Sequence, residues 1–192
     1  ATGITAEPRD SSPVSQRNYR EVSLDRFGPN VWEPYPAPKL DVVDSEGKRV
    51  TLEQYRGKNV ILIFYLGREC LHCMKQLKDI DQKKDEWASL DAVVLAVSSN
   101  KPEDNARYVK EMAVPSARLL SDTGFENARR FKSYDDFEEM ELHSTILIDK
   151  SGRVHWARTG GAPFSDTGFL AKQLKRMNDF VHVEQNRLKA GL

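Results

Sequence analysis

Val60-Ile61-Leu62-Ile63-Phe64-Tyr65-Leu66-Gly67-Arg68-Glu69-Cys70-Leu71-His72-Cys73-Met74 is an apolar run, a short polar break and then two closely spaced cysteines. An unbroken apolar run of this length, ended by turn residues, reads as a strand covered on both faces, the central strand of a layered sheet. Met74, Leu77, Ile80 and Trp87 then recur at roughly helical spacing among Lys and Asp residues, which predicts one amphipathic helix. Cys70 therefore falls at a helix N-terminus, directly after Tyr65 ends the buried strand.

Upstream, Leu40-Asp41-Val42-Val43, a turn at Asp44-Ser45-Glu46-Gly47, and Arg49-Val50-Thr51-Leu52 read as a β-hairpin. Downstream, Ala92 to Val97 reads as a second buried strand and Pro102 to Met112 as a helix. A short strand ends at Leu119-Leu120, and a short helix runs from Gly124 to Phe131. Thr145-Ile146-Leu147-Ile148 and Val154-His155-Trp156 form a hairpin across Asp149-Lys150-Ser151-Gly152. The last element, about Asp166 to Lys189, carries Phe169, Leu170, Leu174, Met177 and Val181 on one helical face. Strand, helix, strand, helix implies right-handed parallel crossovers and an α/β fold.

The 192 residues fit one domain with an extension. Residues 1–35 are expected to be a linker or wrapping arm. The first 38 residues hold five prolines before Pro38, with no sustained apolar period. Leu24, Phe27, Val31, Trp32 and Tyr35 offer enough apolar bulk to pack on the domain, so order is expected to begin near Leu24. The folded domain is expected over residues 36–192. The chain opens Ala1-Thr2-Gly3, as in a processed or excised polypeptide.

Lys plus Arg and Asp plus Glu each total 29, a balance that gives no bulk attraction for nucleic acid or anionic membrane. No stretch of about twenty apolar residues could span a bilayer. Two cysteines are too few for a disulfide-dense scaffold and too close together to staple distant elements, so reactivity explains them better than architecture.

A sulfur at a helix N-terminus meets unpaired backbone N–H groups and the positive end of the macrodipole, which favours the Cys70 thiolate. Cys73 lies on the same face of the first turn and can close a small disulfide ring with it. His72 can add charge or a hydrogen bond beside Cys70, and Glu69 would oppose it unless it points to water. His143, just before a strand expected to end beside the cysteines, could face the pair or simply be a satisfied loop residue. His155 and His182 are assigned to structure or solvent, Trp32, Trp87 and Trp156 to packing. The acidic stretch around Asp135-Asp136 and Glu138-Glu139 is read as a solvated loop. There is no second cysteine pair, so no metal or other cofactor is assigned; copper or zinc on Cys70, Cys73 and His143 remains a minor alternative.

Phe64-Tyr65-Leu66-Gly67, Cys70-Leu71-His72-Cys73, Gln76-Leu77, Thr145-Ile146-Leu147-Ile148-Asp149 and Gly152-Arg153-Val154 together resemble the redoxin branch of the thioredoxin superfamily, the peroxiredoxin-like AhpC/TSA group. The resemblance covers about Pro36 to Met177. It implies a thioredoxin-like three-layer sandwich with a central mixed sheet, an N-terminal hairpin and a long C-terminal helix. The chain is similar in particular to C-terminal redoxin domains of larger, often exported bacterial proteins, which implies a bacterial extracytoplasmic setting. Cys-Leu-His-Cys also resembles the Cys-Pro-His-Cys of periplasmic disulfide oxidases, with Leu71 in place of proline.

Against the peroxiredoxin pattern Pro-x-x-x-Thr-x-x-Cys, Cys73 matches the peroxidatic cysteine, Leu66 replaces the proline and Cys70 the threonine. His143 stands near a position where peroxiredoxins often have arginine. Thioredoxins place a cis-proline before the strand that here begins at Thr145, so Leu142-His143-Ser144 must act otherwise. The strand Val60 to Phe64 also lacks the acid that thioredoxins commonly bury beneath the pair.

The main expectation is thiol–disulfide exchange with protein thiols or disulfides, with Cys70 attacking and Cys73 resolving, and with a reducing thioredoxin system among the expected partners. The docking surface is expected near Leu66, Leu71 and the His143 loop. A thiol peroxidase acting on hydroperoxide, with Cys73 attacking first, is the alternative. A redox-inert binding domain on the same fold is the third.

Overall fold

A computed structural model describes residues 33–112, 116–160 and 166–189. The expected ordering of Leu24, Phe27, Val31 and Trp32 lies outside the described residues. The fold is organised around β4 (Asn59–Phe64), in which every residue is buried. Side chains alternate across a strand, so Ile61, Ile63 and the following Tyr65 enter one apolar core while Val60, Leu62 and Phe64 enter another. A strand with two cores has no polar face to spare, which is why its sequence is apolar throughout from Val60 to Phe64.

β4 pairs in parallel with β5 (Ala92–Ser98) and antiparallel with β9 (Ser144–Ile148), placing Ile61 between Val94 and Leu147. Around them, β1 (Tyr35–Pro36), β2 (Asp41–Asp44), β3 (Arg49–Thr51), β6 (Ala117–Ser121) and β10 (Arg153–Thr159) complete a mixed sheet in the order β1-β10-β9-β4-β5-β6-β2-β3. One core takes apolar residues from α1 (Leu71–Asp81), α2 (Lys84–Ser89) and α5 (Thr167–Lys189); α3 (Pro102–Met112) adds Tyr108 at its margin. The other core takes Ala128 from α4 (Glu126–Arg130) and the adjoining Phe131, together with the β2–β3 hairpin. This is the expected thioredoxin-like sandwich, with its N-terminal hairpin and long C-terminal helix. No helix among the described residues is long and apolar enough to cross a membrane.

The single helix expected from Met74 to Trp87 is two helices. α1 ends at Asp81, and the indole N–H of Trp87 returns to donate to the Ile80 carbonyl at 2.8 Å, satisfying one of the acceptors freed at the helix end. Asp81 in turn accepts from both the N–H and the hydroxyl of Ser116. The spacing of apolar residues survives this break because Trp87 packs into the same core as Ile80. Two further short pieces, β1 and a hairpin of β7 (Tyr134–Asp135) with β8 (Met140–Glu141), are too brief to show a period.

At the end of the sheet away from the cysteines, the β9–β10 turn is built on Asp149, which is 2 % exposed. The register slips between Val154 and Trp156, and the bulged strand sends His155 Nε2 to Asp149 Oδ2 at 2.8 Å. The Ser151 and Arg153 backbone N–H groups donate to Oδ1 at 2.9 and 2.8 Å. Burial alone would raise the Asp149 pKa, but the hydrogen bonds from His155, Arg153 and Ser151 outweigh it and hold the carboxyl well below the usual carboxylate range. This stabilisation is present above the unfolded value of about 3.9 and is lost as pH falls through the native value. Asp149→Asn is therefore expected to cost about 2 to 4 kcal/mol at pH 7, because it leaves donors facing an amide, and less at pH 2. Urea unfolding at the two pH values reads the difference.

Candidate active site

The end of β4 hands the chain to the site through a turn that only a few residues could form. Gly67 adopts φ +89°, and a Cβ there would sit 3.0 Å from Asn100 Oδ1, so the turn lies directly on the segment after β5. Arg68 braces it from the other side, with its guanidinium 5.2 Å from the Tyr108 ring centroid and 3.6 Å from Glu111. The Cys70 N–H then donates to the Gly67 carbonyl at 3.3 Å, and α1 begins.

Cys70 is the N-cap of α1, in extended backbone, and its Sγ accepts the Cys73 N–H at 3.3 Å, the role usually taken by a Ser or Asp oxygen. Cys70 and Cys73 are joined by a disulfide, with their Cα atoms 5.3 Å apart. Their environments differ sharply. Cys73 is fully buried in the core that also holds Tyr65, whereas Cys70 is half-buried. His72 and Glu69 are exposed, as is Leu71 at 81 %, and Leu66 is exposed at the turn.

His143 is brought to the buried sulfur. Its segment is pinned by the Leu142 N–H on the Ser133 carbonyl at 2.8 Å and by the Gly160 N–H on the His143 carbonyl at 2.9 Å. The imidazole Nδ1 lies 3.7 Å from Cys73 Sγ, and Nε2 lies 2.5 Å from Gln76 Oε1. Gln76 is itself buried, and its amide NH2 donates to Thr145 Oγ1 at 3.1 Å. That bond turns the amide carbonyl toward His143, so the imidazole carries its proton on Nε2 and presents the Nδ1 lone pair to Cys73. Burial, with a contribution from the charge of His72, pushes the His143 pKa down to about 4, leaving the ring neutral at pH 7.

Tyr65 is buried with its hydroxyl directed toward Ser98 and Asn100, outside hydrogen-bonding geometry. The structure thus gathers Cys70, Cys73 and His143, sets Tyr65 in the core beneath them, and leaves His72 and Glu69 at the surface. Among the described residues, no group of three His, Cys, Asp or Glu side chains forms a metal-holding set in this disulfide-bonded state.

Three participants receive no role at the site from the sequence alone. Gln76 follows Cys73 by three positions and so shares its face of α1, a spacing that could have flagged it. Thr145 is recognisable only through Gln76. Glu141 carries no sequence signal, because it follows a run of acidic residues that are exposed. It is nevertheless buried. One carboxylate oxygen accepts the Ser99 N–H at 3.1 Å and the other has no partner.

Comparison with known proteins identifies the family and the fold. Residues 35–157 match the AhpC/TSA family. Peroxiredoxin Bcp of Bacillus subtilis is 30% identical over 124 residues, covering 62% of this chain and 78% of that protein. The chloroplastic peroxiredoxin Q of Gentiana triflora is 29% identical over 118 residues, or 61% of this chain, which thus spans only 54% of that relative. Among solved structures, peroxidoxin BcpB of Mycobacterium tuberculosis superposes with a TM-score of 0.68 at 18% identity, covering 74% of this chain and 96% of that one. Peroxiredoxin Q of Xanthomonas campestris gives 0.65 at 20% identity, covering 71% and 90%. These superpositions establish the shared fold.

Burial pushes the Glu141 pKa up to about 8 against the Ser99 hydrogen bond, with Asp122 adding repulsion. An unfolded glutamate ionises near about 4.3, so between that value and pH 8 the folded chain holds a proton that the unfolded chain has released. Stability therefore falls with rising pH across this window. Glu141→Gln, which keeps a carbonyl acceptor for Ser99, should raise stability at pH 8 by roughly 1 to 3 kcal/mol and leave it unchanged at pH 4. Thermal unfolding across that range checks it.

Proposed function

The chain belongs to the AhpC/TSA family, and from that premise we propose that this thiol oxidoreductase is a thiol peroxidase in which Cys73 attacks a hydroperoxide and Cys70 resolves the product. The observation that supports this reading best is the fully buried Cys73 sulfur faced by the Nδ1 of a neutral imidazole. A small oxidant needs a smaller opening to reach such a sulfur than a folded protein's disulfide would.

In the reduced chain, His143 Nδ1 takes the Cys73 thiol proton, and the thiolate forms beside the positive end of α1. The thiolate attacks the terminal peroxide oxygen and the O–O bond breaks. The departing alkoxide takes the proton held by His143, giving an alcohol, or water from hydrogen peroxide, and Cys73 sulfenic acid. The Cys70 thiol then displaces water from that sulfenic acid and forms the disulfide. Two thiols of a reductant close the cycle. The first attacks the half-exposed Cys70 sulfur and expels the Cys73 thiolate, and the second releases Cys70. His143 does this work near the position where the resembled peroxiredoxins often carry arginine. A reducing thioredoxin system is a fitting electron source, since a protein thiol can reach Cys70.

A second reading has its own support. The exposed Leu71 and Leu66 flank the more accessible sulfur, as suits docking of a protein disulfide for exchange through Cys70.

Single-turnover peroxide consumption by the reduced variants separates the two. Cys70→Ser should consume one equivalent of hydroperoxide and accumulate Cys73 sulfenic acid, while Cys73→Ser should react no faster than free cysteine. His143→Ala should slow the wild-type step by about 10²- to 10⁴-fold. If Cys70→Ser is no faster than free cysteine while Cys73→Ser traps a mixed disulfide with a protein, exchange through Cys70 is the function instead.

A further inference from the structure

The two sulfurs and the His143 ring make a second kind of site once the disulfide is opened. We propose that the reduced chain binds a zinc-type divalent cation through the Cys70 and Cys73 thiolates and His143 Nδ1, with a fourth position left open. This rests on Cys70 and Cys73 cycling between disulfide and dithiol, but not on hydroperoxide being the oxidant.

Distance is the first argument. Tetrahedral zinc with Zn–S of about 2.3 Å and Zn–N of about 2.0 to 2.1 Å sets a sulfur and a nitrogen ligand about 3.6 Å apart. Cys73 Sγ and His143 Nδ1 are 3.7 Å apart. That separation is the one a shared tetrahedral cation would set, so the spacing of this sulfur and nitrogen does not have to change.

The ring's orientation is the second. A metal-binding imidazole needs an unprotonated nitrogen on the metal and a hydrogen-bond acceptor on the other nitrogen to fix its tautomer. Gln76 Oε1 on Nε2, itself held by the Thr145 hydroxyl, provides this.

The sulfurs are the third. In the disulfide each sulfur has spent its thiolate on the other, so no metal-holding group exists in that state. Reduction supplies two thiolates at a two-residue spacing on the first turn of a helix. Tetrahedral binding requires them to part to about 3.8 Å. Cys70 can supply this movement because it is the half-buried N-cap residue, whereas Cys73 is fixed in the core. A fourth ligand would enter on the side of the half-buried Cys70, beside the exposed Leu71 and His72.

Binding and oxidation then exclude one another. A two-electron oxidant converts the two metal-bound thiolates to the disulfide and frees the cation. With a hydroperoxide as oxidant, two protons are taken up and one alcohol and one water leave. The chain is therefore a site that releases its metal on oxidation.

Titration of the reduced, reductant-free chain with Zn²⁺ against a chromophoric chelator tests this, with Co²⁺ reporting thiolate and tetrahedral ligation by its absorption. One equivalent should bind to the reduced chain and none to the oxidised chain. Cys73→Ser and Cys70→Ser should each abolish the thiolate bands of a two-sulfur site. His143→Ala should weaken binding at least about tenfold, and Gln76→Leu by about 10- to 100-fold. His182→Ala, on the far part of α5, should leave it unchanged. Equal binding by the oxidised chain, absence of binding by the reduced chain, or wild-type affinity in folded His143→Ala and Cys73→Ser would overturn the proposal. Peroxide consumption by the metal-free reduced chain separates the two readings: a rate no faster than free cysteine removes the peroxidase, while one equivalent of Zn²⁺ bound by that same reduced chain leaves the metal site standing.

Discussion

The orientation of one buried amide governs the chemistry of this site. Gln76 has a donor end and an acceptor end, and Thr145 at the start of β9 takes the donor end. The acceptor end is then left for His143 Nε2, and the lone pair of Nδ1 has nowhere to face but Cys73. Reversing the amide would set its NH2 against an N–H and leave a buried oxygen unmatched, which costs about 1 to 3 kcal/mol for each unsatisfied group. A side chain that touches no substrate thus decides whether the imidazole is a base, a ligand or a bystander.

The surroundings of the site are less economical. The Tyr65 hydroxyl, the Asn100 amide nitrogen and one oxygen of Glu141 are all buried without partners, and all lie at the carboxyl ends of β4 and β5 or on the segment leading to His143. Buried polar atoms without partners are rare in native proteins and mark regions held together at a cost. Glu141 fastens its segment to Ser99, and Leu142 and His143 fasten the same segment to Ser133 and Gly160. These bonds bring the imidazole to the buried sulfur on a segment that contains no proline.

What could be read from the residues follows from what each level of structure requires locally. The apolar stretch from Val60 to Phe64 announces a two-sided strand because no residue in it can face water. The cysteine spacing announces a helix N-terminus because only a helical turn brings the sulfurs together there. His143 was recognisable as a candidate because it precedes a strand that must end beside the cysteines. The spacing of Gln76 from Cys73 could have flagged it, but its role was no more legible than that of Glu141, since both roles come from partners distant in sequence: Thr145 is 69 residues from Gln76 and Ser99 is 42 from Glu141. The break between α1 and α2 was hidden for a related reason. Trp87 keeps the helical period while its indole N–H closes the end of the preceding helix.

The unequal burial of the two sulfurs carries the last step. In an exchange enzyme the accessible cysteine must begin the reaction, because its substrate is a sulfur on another folded chain. In a peroxidase the order can be reversed, because the substrate is small and the base can be kept dry. This chain combines a half-buried N-cap sulfur flanked by exposed leucines with a fully buried sulfur facing an imidazole held neutral by its surroundings. A base on the buried sulfur serves to take that sulfur's own proton, which both orders need: attack on a peroxide at the first step, or closure of a mixed disulfide at the second. What the two orders do not share is access, and the half-buried Cys70 beside exposed leucines is the sulfur that a reductant's thiol meets first.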